Sequence, residues 1–113
     1  MQQNIKFKGN GKTRKVFLDG KELKPDHSQK IVNHSWVGFN WGYSGSGPAQ
    51  LALAVCMRLF GYRKQKSVSL NKLPFDYQGF KRDHIAPLPA GDFEIILNVP
   101  SILEEYKNED YVG

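Results

Sequence analysis

The sequence predicts one α+β domain, residues 1–113, with a small, mainly antiparallel sheet packed around one buried central helix of about residues 48–60 and two shorter helices. Three observations predict it. The N-terminal third alternates apolar and charged residues at strand period and is broken by Asp19-Gly20. A glycine-rich bend then leads into the almost wholly apolar stretch from Leu51 to Phe60. Phe93-Glu94-Ile95-Ile96-Leu97 supplies a strand pattern near the end of the chain. At 113 residues, 40% hydrophobic and 24% charged, the chain has the composition of a folded domain with room for one modest core.

Taken in order, Ile5-Lys6-Phe7-Lys8 reads as a strand ended by Gly9-Asn10-Gly11, and Arg14 to Leu18 as the next. Asp19-Gly20 is a two-residue hairpin signal, so Lys21 to Lys24 returns as a third strand, stopped by Pro25. Gln29 to Val32 is a weaker strand candidate. Trp36 to Tyr43 is expected to be a strand with Val37, Phe39, Trp41 and Tyr43 on one side and Trp36, Gly38, Asn40 and Gly42 on the other. In the bend that follows, Pro48 suits the first helical position, which makes Gly47 the expected N-cap. Along the central helix, Gln50, Ala54 and Arg58 form one narrow stripe, and Gly61 is a natural stop. A second helix is expected from near Pro74 to His84, with Tyr77, Phe80 and His84 on one face. Ser101-Ile102-Leu103-Glu104 matches a capping box for a short last helix to about Lys107.

Charge is unevenly placed. Residues 1–90 carry 15 Lys and Arg against 5 Asp and Glu, whereas residues 91–113 carry one Lys against six acids. The basic body favours anionic partners, and an acidic tail folding back onto it is the structural alternative. No apolar run approaches the roughly 20 residues of a spanning helix, and the start lacks a secretory apolar segment, so no membrane partner and a cytoplasmic location are expected. The single Cys56 excludes an internal disulfide and suits a reducing compartment.

Little in the chain resembles catalytic machinery, so no catalytic residue, cofactor or metal site is expected. The three histidines, His27, His34 and His84, are far apart, and none pairs with Cys56 at zinc-ligand spacing. Cys56 lies among apolar helix residues and reads as core. Neither Ser44 nor Ser46 sits in a G-x-S-x-G frame. An enzyme would need His34 or His84 brought beside Ser44 or a carboxylate by the fold. Aromatics interleaved with Arg63, Lys64, Lys66, Lys81 and Arg82 are spaced for a helix core, which disfavours nucleic acid. The bend Gly42-Tyr43-Ser44-Gly45-Ser46-Gly47 is the candidate site. Glycines at a helix N-terminus expose N–H donors suited to phosphate, but the motif is neither a P-loop nor a dinucleotide fingerprint. It equally suits a tight corner into a buried helix.

Val16-Phe17-Leu18-Asp19-Gly20-Lys21-Glu22-Leu23, Asn33-His34-Ser35, Gly38-Phe39-Asn40-Trp41-Gly42-Tyr43 and Gly45-Ser46-Gly47-Pro48-Ala49-Gln50-Leu51-Ala52-Leu53-Ala54 together resemble a small bacterial and phage domain family of unknown function. The likeness spans most of residues 14–86, with Trp36 where proline is usual and Ser44 where glycine is usual. It implies a bacterial or mobile-element setting. The function expected is a non-catalytic binding module for a phosphorylated, nucleotide-like small molecule. Ser44, Gly45, Ser46 and Gly47 would take the phosphate, Tyr43 or Trp41 would stack on a base, and His34 and Asn40 would orient polar groups. Arg63, Lys64, Arg14 and Lys15 would add long-range charge. The alternative is a protein-interaction module or inhibitor of a host defence complex, with the bend purely structural. A homo-oligomer is compatible with so small a core.

Overall fold

A computed structural model describes residues 3–69 and 72–111. The first strand, β1 (Asn4–Gly9), buries Ile5, Phe7 and Gly9 and exposes the residues between them, as its alternation demands. It pairs antiparallel with β2 (Val16–Leu18), and β2 pairs with β3 (Lys21–Leu23). The Asp19-Gly20 turn has φ of 52° and 82°, positive at both positions as the tightest hairpin requires. Much later in sequence β4 (Phe93–Asn98) joins the other side of β1, so the sheet order is β3-β2-β1-β4. Phe93 lies over Gly9, where a Cβ would collide with its ring, and packs edge-on against both Phe7 and Trp41. Bare backbone on one strand thus accepts the aromatic of its neighbour.

Helix α2 (Ser46–Leu59) is buried along all but two of its residues, Ser46 and Arg58. Its apolar side chains share one core with Phe7, Leu18 and Leu97 of the sheet. At its end Gly61 turns left-handed at φ 66°, the Tyr62 N–H bonds the Met57 carbonyl (2.8 Å), and the Gly61 N–H bonds that of Arg58 (3.3 Å). This satisfies carbonyls that a helix end would otherwise leave open. Packed on α2 are α1 (Asp26–Ile31) and α3 (Tyr77–Phe80), the latter continuing without a break into one π-helical turn, Lys81–Ile85. Helix α4 (Val99–Glu105) follows β4 directly.

Five expectations are corrected. Gln29 to Val32 is not a strand: Ser28 and Ile31 are buried at helical spacing, and residues 26–31 form α1. Trp36 to Tyr43 is not a strand either. Gly38 (φ 104°) and Gly42 (φ 85°) bend the chain, so Phe39 and Trp41 turn into the core while Val37 and Tyr43 stay outside. The N-cap of α2 is Gly45 rather than Gly47. Gly47 lies inside the first turn, against Asn40, whose Cβ would be 2.6 Å from an added Cβ. The helix expected from Pro74 begins only at Tyr77, where the Asp76 carboxylate accepts from the Gly79 N–H. The last helix is capped by Asn98, which accepts from the Ser101 N–H, and it ends at Glu105.

Candidate binding site

Of the expected site residues, His34, Asn40, Trp41, Tyr43, Ser44 and Gly45 lie on the segment that joins α1 to α2, whose geometry is set from beneath by one side chain, and Ser46 and Gly47 open α2 itself. Gln50 is fully buried. Its Oε1 accepts from the backbone N–H groups of His34 (2.7 Å) and Ser35 (3.0 Å). Its Nε2 donates to the Ser28 hydroxyl (2.9 Å) and the Val32 carbonyl (3.1 Å). The Ser28 hydroxyl in turn donates to the Pro25 carbonyl. All four of the amide's bonding positions are therefore used, and the Asn33-His34-Ser35 backbone is fastened to α2. Sequence reasoning placed Gln50 in a polar stripe; a lone amide in a helix that is otherwise apolar there was the signal that its partner had to be internal.

His34 is half-buried beside α3. Its Nε2 lies 2.6 Å from the Tyr77 hydroxyl, which donates to it when the ring proton sits on Nδ1. Burial, with the Lys81 charge adding to it, pulls the His34 pKa below the ordinary value. Burial pushes Tyr77 up to about 12, so its hydroxyl keeps its proton. The pair holds the loop against α3 and leaves the Nε2 of His34 engaged.

Directly after this fastened stretch, the Gly38 N–H bonds the Ser35 carbonyl (3.4 Å), closing a turn whose two central residues are Trp36 and Val37. Turn centres commonly carry Gly, Pro, Asn, Asp or Ser. Here they carry two large apolar side chains, 89% and 97% exposed. Gln29 supports the same turn from α1, donating through Nε2 to the Ser35 carbonyl (2.7 Å). Sequence reasoning had Trp36 on a strand face. The missed signal was the adjacency of Trp36 and Val37 immediately before a glycine.

The glycine-rich bend has clear structural duties. Gly42 approaches the backbone of Leu88 and Ala90, Tyr43 lies across Gly45, and Gly47 packs on Asn40. The first turn of α2 carries no acidic residue and no side-chain cap, and Ser44 and Ser46 are exposed beside it. Asn40 is half-buried, and its side-chain oxygen accepts from the Trp41 N–H. Trp41 is buried: its Nε1–H donates to the Gly91 carbonyl (2.8 Å), and the Arg14 guanidinium sits 4.8 Å from its ring centroid. Arg14 also donates to the Ala90 carbonyl (2.8 Å), which ties it to this corner. Of the two rings expected to stack on a base, only that of Tyr43 faces solvent. Arg63 and Lys64 lie beyond the opposite end of α2, a helix of 14 residues and so about 20 Å long. Arg63 instead lines a cleft of ≈ 550 Å³ with Lys24, His27, Met57, Arg58 and Tyr62.

A family profile matches residues 7–108, nearly the whole chain, from the second half of β1 through α4. The chain belongs to DUF6166, a family of unknown function. The matched span contains the Gln50 clamp, the turn at Trp36-Val37 and the glycine-rich bend together. No curated protein and no solved structure matches the chain. Among the described residues, no three His, Cys, Asp or Glu side chains come together as a metal would need, and no helix is long and apolar enough to cross a membrane.

Proposed function

We propose that the chain is a protein-interaction module whose anchor is the turn at Trp36-Val37. The observation that carries this reading is a tryptophan and a valine, both almost fully exposed, at the tip of a turn whose base is held by a buried amide. Exposed apolar residues are ordinary when scattered singly. Two together on a fastened turn form a pre-ordered anchor, which loses little conformational entropy on docking. Tryptophan is also the side chain most often found to dominate binding energy at interfaces. The excess of basic residues over residues 1–90 suits a partner with an acidic surface.

The test is co-purification of the tagged chain from its host, comparing the wild type with a Trp36→Ser, Val37→Ser double variant. A partner retained near one-to-one by the wild type and depleted about tenfold or more by the variant supports the reading, since a hot-spot loss of about 2 kcal/mol is worth more than that. Equal recovery by both chains overturns it. Both positions are solvent-exposed, so the variant should melt with the wild type.

A second reading keeps the phosphorylated small molecule at the start of α2. It is favoured by the absence of acid and of a side-chain cap in the first turn, with Ser44 and Ser46 exposed beside it. A thermal-shift panel of mono-, di- and cyclic nucleotides, with free phosphate as control, tests it. A selective rise of several degrees that a Ser44→Asp, Ser46→Asp variant abolishes supports it; a flat panel removes it.

A further inference from the structure

The two edges of the sheet are built differently. At one edge β3 has three residues, begins with Lys21 and is followed by Lys24 and Pro25, the features that keep a strand from pairing further. At the other, β4 runs for six residues, Phe93-Glu94-Ile95-Ile96-Leu97-Asn98, without lysine, proline, glycine or bulge. Its Ile96 is 62% exposed.

Hydrogen-bond phase decides which groups of β4 face outward. Gln3 and Val99 continue the β1–β4 register, and the Val99 N–H bonds the Gln3 carbonyl (2.8 Å). In an antiparallel pair, alternate residues turn both backbone groups to the same neighbour. Phe93, Ile95, Leu97 and Val99 therefore bond toward β1. Glu94 and Ile96 turn both of theirs away from the sheet, and Asn98 turns its N–H away while its carbonyl, as the N-cap, starts the bonding of α4; none of these N–H groups bonds another element among the described residues.

We propose that β4 pairs antiparallel with β4 of a second copy of this chain, about a two-fold axis through Ile96 and normal to the sheet. This register follows from the phase. It sets Ile96 opposite the partner's Ile96 as a hydrogen-bonded pair, and Glu94 opposite the partner's Asn98. The two exposed Ile96 side chains meet on the outer face, while Ile95 and the partner's Leu97 meet on the core side. Each Glu94 carboxylate faces an amide rather than a second carboxylate, and it stays with Lys8 (3.6 Å) and Lys6 (3.9 Å) of its own β1. The arrangement is isologous and closes at two, so it removes the open edge without propagating. It is independent of the turn at Trp36-Val37.

The register makes a covalent test possible because Cys56, the only cysteine, is buried. Paired residues in such a ladder have Cα atoms about 5.5 Å apart, inside the range of about 4.4–6.8 Å that a disulfide spans. Ile96→Cys should therefore form a disulfide-linked dimer on mild oxidation. Glu94→Cys should not, because its copy in the partner lies four residues along the strand, about 14 Å away. Sedimentation of the wild type should show a dimer, and Ile96→Lys should raise its dissociation constant about tenfold or more. Trp36→Ser should leave the dimer intact, which separates this interface from the partner-binding turn. A wild type that sediments as a monomer at 100-fold varied concentration, roughly 1 to 100 µM, overturns the proposal and assigns the edge to a strand of another protein. Equal cross-linking at positions 94 and 96 overturns the register.

Discussion

Replacing Gln50 by leucine tests the central structural argument, because leucine fills nearly the same space and makes none of the four bonds. The N–H groups of His34 and Ser35 lose their shared acceptor, and the Val32 carbonyl loses a donor. Each orphaned buried group costs about 1–3 kcal/mol, and His34 is open enough for water to recover part of it. Burying the leucine side chain returns about 2 kcal/mol, which leaves a net loss of roughly 2–3 kcal/mol. For a domain of this length that corresponds to a melting temperature lower by about 10 °C. Thermal unfolding and amide exchange read the two halves of the effect. Exchange at His34 and Ser35 should accelerate far more than at Leu53 in the middle of α2. Partner capture through Trp36 should weaken even where the variant is folded, because the turn loses its base. A Gln50→Leu chain that melts within a degree of the wild type, with unchanged exchange at His34 and Ser35, would refute the clamp.

His34 gives a pH signature with a definite sign. Its folded pKa lies below the ordinary 6.5, so the folded chain binds fewer protons there than the unfolded chain. Its contribution to stability is therefore fully present above 6.5 and is lost as pH falls through the folded value. Melting temperatures between pH 5 and 8 should show a slope that His34→Gln flattens; an unchanged slope assigns it elsewhere. Gly47→Ala places a Cβ 2.6 Å from that of Asn40, and overpacking of this kind costs about 1–3 kcal/mol. Denaturant unfolding checks it, and a neutral result would mean that the bend yields. The Cys56 thiol is buried with its pKa pushed well up, so a thiol reagent should react only as fast as the chain unfolds. Rapid labelling in native buffer would contradict that burial.

Elements with local causes were legible in the sequence. The Asp19-Gly20 hairpin, the body of α2, the Gly61 stop and the β4 strand each announce themselves within a few residues of turn chemistry or periodicity. Trp36 to Tyr43 misled because period 2 did sort Phe39 and Trp41 into the core, while Gly38 and Gly42 prevented any ladder. Gln29 looked like part of a strand, yet its amide serves a turn several residues ahead, a use that no window of propensity detects. For Gln50 the need for an internal partner was legible but the partners were not, for the same reason: they come from α1 and the loop that follows it. Of the charge expected at the bend, Arg14 does lie at that corner, whereas Arg63 and Lys64 follow α2 in sequence and thus sit at its far end.

The β1–β4 ladder joins Asn4 to Asn98, and the Asn98 side chain donates to that of Asn4 across it (3.0 Å). The first strand made is therefore completed by one of the last. During synthesis the chain can close the hairpins of β1, β2 and β3 early, but one side of β1 stays open until residue 98 has emerged. Until then β1 offers Ile5 and Phe7 to any passing strand, so the nascent chain is most prone to aggregate in the interval between finishing α2 and delivering β4. A stop codon anywhere before Phe93 therefore yields a chain with an unsealed central strand rather than a shorter folded domain.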